Sequence, residues 1–218
     1  MTRPHRIRRL LSIPAGLLLL TLQACAPSSL GYLNIDSASI VNGMRVDGKV
    51  TSDEIRDAAG VAILDTTTVG IAVGVTGGHG VVLRRNGNKW SSPVPVDLIS
   101  GSIGLQLGGK NSKVLMIFRS AESFDAFVFK GSDFVAEASG TAGASNGGAG
   151  DPLDQKEVDV IVKSGGLYGG AVIGGIGVSV NKDLLHKAYG EGSQAETVLS
   201  GRSQIPAGAE AVWSSLDG

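Results

Sequence analysis

The stretch Lys89–Leu107 reads KWSSPVPVDLISGSIGLQL, and its pattern decides how the chain folds. Pro93 and Pro95 lack a backbone donor and fix φ, so a strand here is expected at a sheet edge or in an irregular connection. A β-prone run follows, Gly101 interrupts it, and strict alternation of apolar with small or polar residues then continues to the end of the stretch. Trp90 stands at its head, where a large ring is expected to cover a core. We therefore expect the rest of the chain to pack around this unit.

The composition favours strands that bend. The 218 residues include 33 glycines and only 5% aromatic residues, and the apolar runs are short and rich in Val, Ile and Gly. Glycine permits bends and close backbone contacts. We predict an α+β fold dominated by β-structure, with mostly antiparallel, bent sheets that form a sandwich or barrel-like core and several short peripheral helices.

The N-terminus has the form of a bacterial lipoprotein signal. Four arginines lie within the first nine residues, and the apolar run Leu10–Leu22 is too short to span a bilayer comfortably. The segment Leu22–Cys25 reads LQAC and resembles a lipobox. Acylation of the Cys25 thiol and of the new amino terminus would anchor the chain stably in a membrane. The alternative is an ordinary secretory signal with an unrelated cysteine.

Cysteine usage and charge exclude several classes of function. Cys25 is the only cysteine, so neither an internal disulfide nor a cysteine-based metal cluster can form. Without the four signal arginines, 15 basic residues face 20 acidic ones, a net charge of −5. This balance argues against a nucleic-acid partner and offers no general attraction to anionic lipid.

The chain divides into three parts. Residues 1–24 are predicted to be the signal peptide and residues 25–50 a tether or entry segment, since Ala26–Lys49 carries scattered apolar residues among Pro, Ser and Gly. Residues 51–218 are long enough for one domain with its own core.

Several helices are marked by their caps. Capping boxes are predicted at Thr51–Glu54 and Ser193–Glu196, and side-chain caps at Ser120 and Asn181. Pro206 is expected to open the last helix. The buried face of that helix is predicted to consist of Ile205, Ala209, Val212 and Leu216.

The strands are marked by turn residues. Val69–Thr76 is predicted as a strand that ends in a turn at Gly77–Gly80, and Asn86-Gly87 is a hairpin signal. Leu167–Val180 is the longest extended run, and its glycine pairs are expected to let it bend between sheets. Gly140–Gly150 is expected to be a loop.

No catalytic, cofactor or metal site is predicted. Outside the signal, His79 lies in a glycine-rich segment and His186 lies on a short helix, without the spacing of a zinc site. Gly101–Gly104 misses the spacing of a nucleophile elbow, and Gly170–Gly177 lacks both the dinucleotide pattern and a following helix. We expect no enzymatic activity and no cofactor.

The candidate binding residues surround the predicted hairpin turn. They are Arg84, Arg85, Lys89 and Trp90. Three cations and an indole at a hairpin tip can meet lipid headgroups, with the ring at interfacial depth. The alternative is that the cations serve solubility and the indole points inward.

The motifs together resemble the SYLF (Ysc84-type) domain family. Asn88–Gly108 is similar to its W-S-x-P … G-S-x-G-x-Q-x-G signature, Ser164–Gly170 to its S-K-G-L-F-A-G segment, and Ala188–Gly190 to its closing Y-Y-G. The similarity covers roughly residues 52 to 201. It implies a β-rich domain that binds phospholipids, with phosphoinositide and actin binding in eukaryotic relatives.

The resulting hypothesis is a lipid-anchored outer-membrane protein, facing the periplasm or the surface, whose SYLF-like domain binds anionic phospholipid without catalysis. The alternative is a structural or protein-interaction module that docks another envelope protein. Cys25 would carry the anchor in either case.

Mass spectrometry of the protein purified from a bacterial host tests the anchor. We expect a mature chain that begins at Cys25 and carries acyl groups on its thiol and amino terminus. The variant Cys25→Ser should lose this modification, because serine offers no thiol. An unmodified cysteine in the wild-type chain would contradict the lipobox assignment.

Overall fold

The computed structural model describes residues 27–130, 134–135, 158–165, 168–169 and 173–218. The predicted signal peptide, Cys25 and the predicted loop Gly140–Gly150 lie outside the described residues. The helices are α1 (Leu30–Val46), α2 (Ser52–Arg56), α3 (Ala121–Asp125), α4 (Lys182–Tyr189), α5 (Ala195–Leu199) and α6 (Ala209–Asp217), with a π-helical turn at Ala126–Lys130. The strands are β1 (Gly60–Asn86), β2 (Lys89–Trp90), β3 (Val94–Phe118), β4 (Phe134–Val135), β5 (Val158–Gly165), β6 (Tyr168–Gly169) and β7 (Ile173–Val180).

All seven strands belong to one antiparallel sheet. The order is β2-β1-β3-β7-β4, and β5 and β6 also pair with β3. β3 is therefore the central strand, with β1 on one side and β5, β6 and β7 along the other. Within the described ranges the sheet does not close on itself. The predicted α+β class with bent antiparallel strands is confirmed.

Pro93 lies in the irregular connection before this central strand, as predicted, whereas Pro95 is the second residue of the strand and does not lie at a sheet edge. Pro95 is opposite Val81 of β1, and on its other side the pairing with β7 ends at Val96 and Val180. A missing donor is tolerated there because the second ladder has just ended. The carbonyl of Pro95 still accepts a hydrogen bond from Asn181 N at 3.0 Å.

β1 is one strand that folds back over its own first half. The register with β3 shifts between Ile71 and Val73, and the hydroxyls of Thr68 and Thr76 then lie 2.8 Å apart. A β-carbon at Gly80 would lie 2.0 Å from the carbonyl oxygen of Ile63. The predicted turn at Gly77–Gly80 is therefore wrong: these glycines let two parts of a strand touch and do not reverse the chain.

Side chains of β1 and β3 alternate between two hydrophobic clusters. Val61 and Ile63 belong to one cluster, whereas Ala62 and Leu64 belong to the other. The first cluster includes residues of α1, α2 and α6; the second includes Phe124 and residues of the π-helical turn and of α5. Helices thus cover both faces of the sheet.

The predicted tether is wrong for residues 30–46, which form the longest helix described. Ser29 caps α1 by accepting a hydrogen bond from Tyr32 N at 3.2 Å. Its buried side chains recur at helical spacing: Leu30, Leu33, Ser37, Ile40, Val41 and Met44. Small and polar residues between them weaken the apolar pattern in the sequence, but the helix packs against α6, and Arg45 donates to the Ser215 carbonyl at 2.9 Å.

The caps are confirmed at three of the four predicted positions. The capping box of Thr51 and Glu54 forms, and Ser120 and Asn181 each cap a helix. Thr51 hydrogen-bonds the Glu54 carboxylate and lowers its pKa. The second box does not form, because Gln194 occupies the N-cap of α5 without a side-chain hydrogen bond.

The final helix starts later than predicted. Gly208, with φ +77°, is its N-cap, so the Pro206 turn precedes the helix rather than opening it. Ala209, Val212 and Leu216 are buried as predicted. Ile205 lies before the helix and is 61% exposed, so its assignment to the buried face is wrong.

Replacing Gly80 by alanine tests the folded strand. The added β-carbon would overlap the backbone at Ile63, and we expect the free energy of unfolding to fall by about 3 kcal/mol or more. Gly43→Ala is the matched control: it lies in α1, its β-carbon would come no closer than 3.8 Å to a lysine amine, and it should stabilise by about 1 kcal/mol. Urea unfolding followed by circular dichroism measures both, and equal stabilities would contradict the close approach.

Candidate functional site

The four predicted binding residues come together at one hairpin tip. Arg85 pairs with Trp90 and Asn86 pairs with Lys89, and Gly87 takes φ +62° in the turn between them. The Asn-Gly signal is therefore confirmed, since a positive φ is what such a turn requires. The structure then assigns very different environments to the four side chains.

Trp90 is part of the core. It is 7% exposed, and its indole Nε1 donates a hydrogen bond to Asp217 Oδ1 at 3.1 Å. The guanidinium carbon of Arg85 lies 3.9 Å from the ring centroid. Of the two orientations left open by the sequence, the inward one is observed.

Arg85 ties the hairpin to two helices. Its guanidinium lies 3.5 Å from Asp217 Oδ1 of α6 and donates to the Ile55 carbonyl of α2 at 3.4 Å. Its side chain is only 16% exposed. A cation stacked on an indole and paired with a carboxylate stabilises the fold, and it is poorly placed to meet a headgroup.

Arg84 points to the opposite side of β1. It forms an ion pair with Asp125 of α3, and its guanidinium carbon lies 5.5 Å from the centroid of the Phe124 ring. Burial lowers the pKa of the Arg84 guanidinium. This residue therefore joins β1 to the second hydrophobic cluster.

Lys89 is the exposed cation of the tip. Its side chain faces solvent next to Asn88 in the turn, whereas Arg84 and Arg85 are only partly exposed. At the tip, the Lys89 amine is therefore exposed to solvent, whereas the guanidinium groups of Arg84 and Arg85 attach the hairpin to the helices.

A separate cavity of about 440 Å³ lies between the end of α4 and α5. It is lined by Tyr189, Gly192, Ser193, Gln194, Thr197, Val198, Arg202, Ser203 and Gln204. The Tyr189 hydroxyl donates to the Pro93 carbonyl at 2.6 Å, and burial raises its pKa above the usual value. The lining is polar and contains one guanidinium, without a nucleophile paired to a base.

Two further observations concern metal binding and membrane-spanning helices. In the described part of the chain, no three His, Cys, Asp or Glu side chains are close enough to hold a metal ion. None of the described helices has the length and apolarity that crossing a membrane requires.

Asp217 and Asp125 anchor the tip, and the sequence does not predict either. Asp217 lies 127 residues from Trp90, and Asp125 lies 41 residues from Arg84. A carboxylate near the end of a helix has no local feature that links it to a distant hairpin. Only the packing of α3 and α6 on the sheet brings these groups together.

The fold and the tip define an α+β module with a long folded hairpin, braced by helices on both faces. Its sequence matches the Ysc84 family, described as "Las17-binding protein actin regulator", over residues 99–218. This is more than half of the chain, so the protein belongs to the Ysc84 family. The predicted family resemblance is confirmed.

Curated relatives cover most of the chain at low identity. The SH3 domain-containing YSC84-like protein 1 of Bos taurus is 29% identical over 177 residues, which are 78% of this chain and 52% of the relative. Protein YSC84 of Saccharomyces cerevisiae is 25% identical over 169 residues, 72% of this chain and 35% of the relative. LAS seventeen-binding protein 3 of the same species is 24% identical over 184 residues, 78% and 39% of the two chains.

The chain spans about half the length of the first of these relatives and less of the yeast proteins. One of these names describes a binding protein, and the description of the family names a binding protein and an actin regulator. No solved structure matches the chain significantly.

Replacing Trp90 by alanine separates a core role from a surface role. Loss of a buried indole and of its hydrogen bond should lower the free energy of unfolding by about 3–5 kcal/mol. Lys89→Ala, at the neighbouring exposed position, should change it by no more than about 0.5 kcal/mol. Urea unfolding followed by far-UV circular dichroism compares the two, and a fully stable Trp90→Ala variant would show that the ring does not support the core.

Proposed function

We propose that this protein is a lipid-anchored component of a bacterial outer membrane, facing the periplasm or the cell surface, whose Ysc84 domain binds anionic phospholipid without catalysis. One observation supports this proposal above the others: the first helix of the described residues, α1, has its N-cap Ser29 only four residues after Cys25. Acylation of Cys25 would therefore hold the domain directly against the bilayer.

The short link limits how far the domain can move away from the membrane. Four residues span at most about 14 Å when fully extended. A domain held this close meets headgroups at high effective concentration, so that a weak contact is enough for binding.

Among the four residues proposed for lipid contact, Lys89 is the one available for it. Arg84, Arg85 and Trp90 are engaged within the fold, and we assign them the supporting role of fixing the hairpin that presents the amine. A single lysine near an anionic surface contributes about 1 kcal/mol. This contribution fits an anchored protein, which does not need tight binding of its own.

The second candidate function is a protein-interaction module of the envelope. It is favoured by the description of the family, "Las17-binding protein actin regulator", and by the name of one relative, LAS seventeen-binding protein 3. This chain would share protein binding with these relatives, but its partner would be a different protein.

Vesicle flotation of the unacylated chain from residue 26, which contains every described helix and strand, tests lipid binding. We expect more protein to float with anionic than with neutral vesicles, and less as salt is raised. Lys89→Ala should weaken partitioning to anionic vesicles about fivefold, as expected for the loss of one cation near the surface. Lys182→Ala removes an exposed amine at the start of α4 and serves as the control.

Equal recovery with neutral and anionic vesicles would contradict the preference for anionic phospholipid, and no flotation would contradict phospholipid binding by the domain. A single protein crosslinked to the wild-type chain in cells, together with no flotation, would favour the second function.

A further inference from the structure

Three exposed apolar side chains lie on two elements that pack against each other, the first turns of α1 and the segment before α6. Tyr32 is 59% exposed, Ile35 is 56% exposed, and Ile205, in the turn before α6, is 61% exposed. We call these three residues the apolar face. Exposed apolar residues are common singly, but a group on one surface indicates a contact.

The packing of α1 on the segment before α6 brings together the two elements that carry these residues. Tyr32 and Ile35 are three positions apart and share one side of the helix. A β-carbon on Gly31 would lie 3.3 Å from the Ala207 β-carbon, and one on Gly208 would lie 3.4 Å from Ile35 Cδ1. Asn34, between the two exposed residues, donates to the Ala207 carbonyl at 2.8 Å.

The proposed anchor site, Cys25, precedes this same end of the helix. Four residues span at most about 14 Å, so acylation of Cys25 would keep Ser29 within about that distance of the bilayer surface. The helix is 17 residues long, and Val46, at its other end, is about 21 Å from Tyr32 along the axis.

The chemistry of this surface fits the interfacial layer of a membrane. Tyrosine is enriched at that depth because its ring is apolar and its hydroxyl can remain hydrated. Between residues 27 and 44, Asp36 is the one charged side chain in the sequence, so the first part of α1 contributes no cation to the attraction. Contact through this face would rest on burial of apolar area and would resist salt, in contrast to contact through Lys89.

We propose that the apolar face is the membrane-facing surface of the anchored protein. Tyr32, Ile35 and Ile205 enter the interfacial layer of the bilayer that holds the acyl chains, with the start of α1 towards the membrane and Val46 away from it. This orientation rests on the proposed acylation of Cys25.

Quenching of a fluorescent label at a single site by a nitroxide lipid tests the orientation in the full-length, acylated protein. The thiol of an acylated Cys25 is blocked, so an introduced cysteine is the only free thiol. Tyr32→Cys and Ile205→Cys report on the face, and Val46→Cys, 88% exposed on the same helix, is the matched control. Each variant is labelled with an environment-sensitive fluorophore and reconstituted in phosphatidylcholine vesicles that contain a nitroxide lipid.

We expect at least threefold stronger quenching at residues 32 and 205 than at residue 46, unchanged in 0.5 M salt. Equal quenching at all three positions, or none at residues 32 and 205 in protein that floats with the vesicles, would overturn the orientation and leave the anchor intact. Protein that does not float would refute the anchor and the orientation together.

Another occupant of the face would give a different signal. An apolar shift of the label that depends on protein concentration, without quenching by the nitroxide lipid, would mean that a second copy covers the face, and this result would also overturn the proposal. Ile205 lies in the irregular segment before α6, so Ile205→Cys leaves the sequence of α1 unchanged and reports on the face independently of Tyr32→Cys.

Discussion

The close approach of β1 to itself is the constraint on which the rest of the structure depends. Gly78 and Gly80 face the backbone of residues 63–66 at distances that leave no room for a β-carbon. Because these two positions carry no side chain, a strand of 27 residues can fold over its own first half, and β3 pairs with it through the same bend. The two halves of the hairpin then offer two apolar surfaces, and the helices cover both.

The same folded hairpin explains why its tip is largely committed to stability. Arg84 and Arg85 point to opposite sides of β1, so each meets a different layer of helices, through Asp125 and Asp217 respectively. Trp90 completes the second contact by hydrogen bonding to Asp217. Cations that look like a binding patch in the sequence are therefore mostly used to attach helices to the sheet. The amine of Lys89 is the part of the tip that extends beyond this network.

The functional proposals depend on the short distance along the chain between Cys25 and the start of helix α1. α1 is a core helix whose buried residues pack against the sheet and α6, and the exposed apolar residues at its N-terminal end, Tyr32 and Ile35, lie seven and ten positions after Cys25. An anchored chain with so short a link has a defined side towards the membrane. The lipid contacts proposed for Lys89 and for the apolar face differ in kind, since one is electrostatic and the other depends on apolar burial.

Local chemistry was enough to predict the α+β class, the Asn86-Gly87 turn, the caps at Thr51, Ser120 and Asn181, and the family, because each depends on residues close together in the chain. Local patterns do not indicate helix α1, because polar and small residues interrupt its apolar pattern and its stability comes from contacts with α6 that lie some 170 residues away. Gly77, Gly78 and Gly80 suit a chain reversal and a close approach equally, and only the position of Ile63 distinguishes the two. The environment of the hairpin tip was likewise decided by tertiary structure alone, since Asp125 and Asp217 are brought to Arg84 and Trp90 by packing and by no pattern near them.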